Sequence, residues 1–262
     1  MNSIAIRSLK ERWKSTLIWS FGLMAIALLF AGLHESFASD IEDLVSLYPE
    51  NLSAFVGDIA AAAEPAGWLG LQLYNIFLPI VIGSIGVGFG ASAIGKEEES
   101  GTLELLLANP VSRTRILLEK AAAIEIQLAL IAGSLWLGVA AGTLLFTFDV
   151  SLIDVFWATF MGWLLGIFFG FGVLAIQSLR GNRSLALSTG IAVLVIGYFA
   201  DALAQLFDWL EFLQYVSPFY YYNGPDVLLN GLHVGNAAVL LVGACVFYVV
   251  AHLSFTRRDT GV

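Results

Sequence analysis

The chain has 262 residues, 58% of them hydrophobic and 13% charged, with a mean hydropathy of +0.83 and a formal net charge of −9. That hydropathy is far above what a water-soluble domain carries, which excludes a soluble enzyme, and the acidic balance gives no basis for a nucleic-acid partner. The sequence predicts an all-α polytopic membrane protein.

A helix needs about 20 apolar residues to cross a hydrocarbon layer of roughly 30 Å. Six stretches qualify: residues 16–33, 71–95, 121–146, 152–179, 185–206 and 237–255. Each is a continuous apolar run, unlike the dyad pattern of about ten residues that marks a barrel strand. All twelve Lys and Arg fall in the amino end, the loop between spans two and three, the loop between spans four and five, or the carboxyl end. Residues 34–70, 147–151 and 207–236 hold no Lys or Arg. Because cations near a span are retained in the cytoplasm, both termini are expected there. Thirteen of the 21 carboxylates fall in or beside the three cation-free loops. Such an acidic outer face suits a saline medium.

At the amino end, Ile6, Leu9 and Trp13 fall on one helical stripe and Arg7, Lys10 and Lys14 on the next, which predicts an interfacial helix over residues 1–15. Simple topogenic charge is the alternative reading of the same cations. The apolar run that follows, about 18 residues, exceeds the 7–15 of a cleaved signal peptide, so span one is expected to stay. The outer loop 34–70 is long for a connector, and its Asp40, Pro49 and Asn51 signal short helices on the outer surface.

Span two carries a decoy. Gly90 to Lys96 matches the first seven positions of a phosphate-binding loop, but Glu97 stands where Ser or Thr would hold magnesium, and an apolar helix rather than a strand precedes it. No other phosphate cradle appears, and His34, His233 and His252 are scattered. No cofactor is therefore expected on this chain. Gly86 and Gly90, Gly138 and Gly142, and Gly162, Gly166 and Gly170 each lie four apart on one helix face, which predicts close backbone packing within the chain or at a dimer seam.

Residues 97–120 form the longest charged interruption on the basic side. After the run Glu97 to Glu99, Gly101 and Thr102 free the backbone. Leu103, Leu106 and Leu107 then fall at i, i+3 and i+4, with Glu104 on another side, predicting a short helix with one apolar face. Asn109 and Pro110 read as an N-cap and first-turn proline for the next helix. That apolar face has to be buried: in a protein groove, against the lipid interface, or against the chain's own helix ends.

Intramembrane polar groups are expensive and usually face a bundle interior or a water cavity. Asn75, Glu125, Asp201 and Gln205 are the candidates, with Asp201 and Gln205 on one face near the outer end of span five. They could line an outer vestibule. Alternatively, Asp201, about 8 Å from the span end at 1.5 Å per residue, reaches the wet interface. Residues 207–236 are aromatic and free of cations, as expected at headgroup depth, with Pro218 and Pro225 as helix punctuation. Cys245, alone in span six, permits no internal disulfide.

Gly101 to Arg113, GTLELLLANPVSR, resembles the cytoplasmic loop of permease subunits of type-2 ABC exporters: an acid four residues before Gly-Thr-Leu-Glu-Leu-Leu-Leu, then Pro-Val-Ser-Arg. The resemblance extends more loosely over the chain, through the basic amino end, six spans, VSPFYYYNG at Val216 to Gly224 and FTRRD at Phe255 to Asp259. It implies that Glu99, Gly101, Thr102, Leu103, Glu104, Leu106, Leu107, Pro110 and Arg113 belong to a coupling helix and its flanks, docking onto a separate ABC ATPase subunit. It also implies that ATP and magnesium are held by that partner, and that a second permease copy, identical or not, completes the translocation path in the cell membrane. It further implies short re-entrant helices in 207–236, capping the outer exit. The competing function is an ion-coupled carrier working without an ATPase, with Asp201 and Glu125 as relays, although repeated halves and interrupted helices are not evident. A membrane-embedded lipid enzyme lacks any nucleophile, base or metal cluster.

Overall fold

The computed structural model describes residues 4–38, 63–103 and 111–258. Among them, six helices are long and apolar enough to cross a membrane. In chain order the elements are α1 (Ile4–Ala38), α2 (Pro65–Leu69), a π-helical turn (Gly70–Tyr74), α3 (Phe77–Glu99), α4 (Arg113–Leu145), α5 (Leu152–Arg180) and α6 (Arg183–Leu206). A 3-10 helix (Asp208–Val216), α7 (Pro218–Tyr222), α8 (Gly224–Asn230) and α9 (Val234–Arg257) complete the order.

Helix α1 runs unbroken for 35 residues, about 52 Å at 1.5 Å per residue. The segment expected to lie separately in the interface is thus its first turns. Nothing between Ile4 and Ser15 breaks a helix, Arg7 pairs with Glu11 one turn on at 2.9 Å, and the half-buried Ala5 N–H donates to Glu119 Oε2 of α4 at 3.0 Å. A carboxylate there satisfies an orphan donor and complements the helix dipole. Helix α4 likewise starts eight residues before span three was expected. Ser112, not Asn109, caps it, accepting from the Arg115 N–H at 3.3 Å. Asn109 and Pro110 lie outside the described residues.

Helices α3 and α5 form the centre: 72% of the most apolar window of α5 is buried, against 22% for α1, α6 and α9. The glycines explain how the centre closes. A Cβ on Gly86 would stand 2.2 Å from the Gly166 carbonyl oxygen, and one on Gly138 would stand 2.5 Å from the Met24 oxygen. Small-residue faces therefore serve α3 against α5 and α1 against α4, within one chain. Gly90 to Lys96 is helix interior in α3, so that stretch forms no phosphate loop.

At the cation-free end, the π turn breaks span two. Its Asn75 N–H donates to the Gly70 carbonyl at 2.8 Å. Tyr222 of α7 donates to the Tyr74 carbonyl at 2.9 Å, and the buried Tyr74 hydroxyl meets Thr159 Oγ1 of α5 at 2.7 Å. Pro218 and Pro225 begin α7 and α8 within their first turns rather than ending helices, as proline's fixed φ favours. Ser217 Oγ ties this short-helix layer to α6 through the Gly197 carbonyl at 2.8 Å. His34 is buried there too, edge-on to Trp68 and Phe148. Residues 39–62 of the expected surface helices lie outside the described residues.

Candidate functional site

The opposite end of the bundle collects the cations. Helix α3 ends in three consecutive carboxylates, and each engages a different neighbour. Glu97 pairs with Lys120 of α4. Glu98 pairs with Arg258, just past α9, and accepts from Gln177 Nε2 of α5 at 2.5 Å. Glu99 pairs with Arg183 at the start of α6 at 2.8 Å. Consecutive residues on a helix diverge by about 100°, so one acidic run faces three ways and holds four helix ends. Lys120 is 6% exposed, and a buried ammonium persists only when paired.

Arg258 is held more than once. Its Nη1 donates to the Gln177 and Ser178 carbonyls at 3.1 Å each, in the last turn of α5, where orphan carbonyls and the dipole favour a cation. Burial pulls its guanidinium below the ordinary value. Gly181, the left-handed C-cap of α5 at φ 65°, leaves room for it: a Cβ there would lie 3.0 Å from Arg258 Nη1. Arg113 Nη1 donates to the Arg258 carbonyl at 2.6 Å and to that of Phe255 at 3.3 Å.

Between helices, this end has two connections, residues 181–182 and residues 100–112. The first is a tight cap. The second opens with a turn in which Gly101 has φ 67° and the Thr102 N–H donates back to the Glu97 carbonyl at 2.9 Å. Gly101 and Thr102 are exposed. Leu103 is 5% exposed and joins the hydrophobic core. Glu99 and Arg113 are likewise engaged within the chain. Glu104, Leu106, Leu107 and Pro110 lie outside the described residues.

A family model of the ABC-2 family transporter proteins matches residues 2–260. The chain belongs to that family. It is accordingly a permease component of an ABC transporter, a transport subunit whose family works with an ABC ATPase. No curated protein matches it.

In this ABC-2 permease the intramembrane candidates separate. Asp201 and Gln205 are joined, Gln205 Nε2 donating to Asp201 Oδ2 at 3.2 Å, while Asp201 Oδ1 is buried without a hydrogen-bond partner among the described residues. Glu125 lies on α4, its carbonyl accepting from Trp163 Nε1 at 3.1 Å. Asn75 sits at the break after the π turn. Glu125 thus lies in the first half of α4, Asp201 near the end of α6 and Asn75 at the break ahead of α3. Sequence reasoning missed Glu98 and Arg258, whose opposite charges were visible but whose meeting requires α9 to return beside α5.

Proposed function

We propose that this chain is the transmembrane subunit of an ATP-driven exporter, with its basic end in the cytoplasm and the 100–112 loop docking a separate ATPase that binds ATP and magnesium. The observation that carries the reading is the contrast between the two connections at the basic end. Residues 181–182 are a closed cap. Residues 100–112 form a longer bridge with the coupling motif, entered through an exposed glycine turn.

The burial of Leu103 narrows the docking face. Leu103 anchors the loop to its own bundle, leaving Leu106 and Leu107 as the apolar contacts and Glu104, Gly101 and Thr102 as polar ones. Each docked leucine contributes about 2 kcal/mol. Asp201 and Gln205 line the outer vestibule of a path that a second permease copy completes, in a cell membrane whose lipid covers the sparsely buried α1, α6 and α9.

The test is co-purification with cytoplasmic ABC ATPases. The native chain is expected to retain one, and Leu106→Asp with Leu107→Asp to lose it while keeping its detergent elution profile. Undiminished capture by the double variant removes the docking role.

A further inference from the structure

The two helix ends that bracket residues 100–112, the last turn of α3 and the first residue of α4, both contact one residue. Glu98, just before the loop, holds the Arg258 side chain. Arg113, just after it, holds the Arg258 carbonyl at 2.6 Å. Arg258 in turn grips the last turn of α5 through the Gln177 and Ser178 carbonyls and continues directly from α9. We infer that Arg258 is a positioning residue that links the 100–112 loop to α5 and α9, so that displacement of the loop moves these two helices together. The inference rests on the docking reading above, and deepens it by naming the route.

Geometry favours Arg258 over the neighbouring pairs. Lys120 joins Glu97 to α4, and α4 is already continuous with the loop. Arg183 joins Glu99 to α6 with both side chains at least one-third exposed, where solvent and salt weaken the link. Arg258 alone among these cations combines a carboxylate, two α5 carbonyls and a backbone acceptor role. A guanidinium suits this task because its planar fork serves several acceptors at once in fixed directions, which an ammonium does not. The left-handed Gly181 cap keeps the space open.

The experiment uses the full chain in complex with the ATPase it retains. In a Cys245→Ala background, spin labels are placed at Leu253→Cys on α9, which the link is to move, and Leu185→Cys on α6, joined to the end of α3 by the more exposed Glu99–Arg183 pair; both positions are 44% exposed. In the native complex, ATP with vanadate is expected to shift the interlabel distance. Arg258→Ala is expected to keep the ATPase at native yield and to lose the shift, with ATP hydrolysis becoming independent of the permease. Arg258→Lys, which keeps the charge but not the fork, is expected to retain a reduced shift. A native-sized shift in Arg258→Ala overturns the inference. So does loss of the ATPase from that variant, which would make Arg258 part of the docking surface. Failure of the native chain to retain any ATPase is read separately, in the co-purification, and removes the docking reading together with this one.

Discussion

Gly90 of α3 lies so close to Gly170 of α5 that a Cβ on Gly90 would stand 2.1 Å from the Gly170 carbonyl oxygen. The Cβ position is fixed by the α3 backbone and the oxygen belongs to the α5 backbone, so no rotamer change relieves the clash. Gly90→Ala is expected to force α3 and α5 apart and to cost at least about 2 kcal/mol. Gly22 on α1 supplies the contrast. A Cβ there meets nothing within 4 Å, and Gly22→Ala is expected to be neutral or to gain up to about 1 kcal/mol from helix propensity. Thermal unfolding of the two purified variants in one detergent checks the difference. Equal midpoints would show that the glycine seam does not hold the centre together.

The three carboxylates ending α3 differ in burial, and their removal should differ accordingly. The Lys120 side chain is 7% exposed in its pair with Glu97, so Lys120→Met strands a carboxylate in a poorly solvated place, at a cost of about 3 kcal/mol. The Glu99 and Arg183 side chains are 51% and 33% exposed, so Glu99→Gln should cost less than about 1 kcal/mol and only at low salt. Denaturation at two ionic strengths measures both. A Glu99→Gln loss as large as that of Lys120→Met would contradict the assignment of the buried pair as the structural one.

The spans and the basic end are legible in the sequence because hydropathy and charge are local properties of a segment. The 152–179 prediction differs from α5 by one residue, since Ser151 caps its start and Gly181 its end. Partnerships are not local. Four-residue glycine spacing shows that a face is smooth, but not that Gly86 meets Gly166. The run Glu97 to Glu99 reads as solvated charge until α4, α6 and the end of α9 are brought beside it. Leu103 shares its stripe with Leu106 and Leu107, and only the neighbouring helix ends decide that it turns inward. The π turn at Gly70–Tyr74 has no signature in the apolar pattern. It becomes explicable once Tyr222 is seen taking the Tyr74 carbonyl.

That contact gives a prediction of its own. Tyr222 is 2% exposed, and its hydroxyl donates to the Tyr74 carbonyl at 2.9 Å. Tyr222→Phe keeps the ring and removes the donor, leaving a buried carbonyl unpaired at a cost of about 1–3 kcal/mol. The loss should concentrate where α7 pins the break in span two. Faster amide hydrogen exchange is expected at Leu71 to Leu78, with exchange in the centre of α5 unchanged. Uniform acceleration across all helices would instead mean that the hydroxyl stabilises the whole bundle.

The separation of charge along the bundle makes the proposed orientation testable. Arg12, Lys120, Arg183 and Arg258 meet acceptors at one end, while Trp209, Tyr215 and Tyr221 belong to the other, where Tyr221 donates to the Tyr215 carbonyl at 2.9 Å. Carrying the basic end outward would move several Lys and Arg across the hydrocarbon, each at about 2.5–3.5 kcal/mol on insertion scales. In a Cys245→Ala background, Trp209→Cys, 75% exposed in the native protein, should react with a membrane-impermeant maleimide on intact cells. Leu179→Cys should react only after permeabilisation. The reverse pattern would place residues 100–112 outside the cell, beyond reach of any cytoplasmic ATPase, and the proposed function would fall with it.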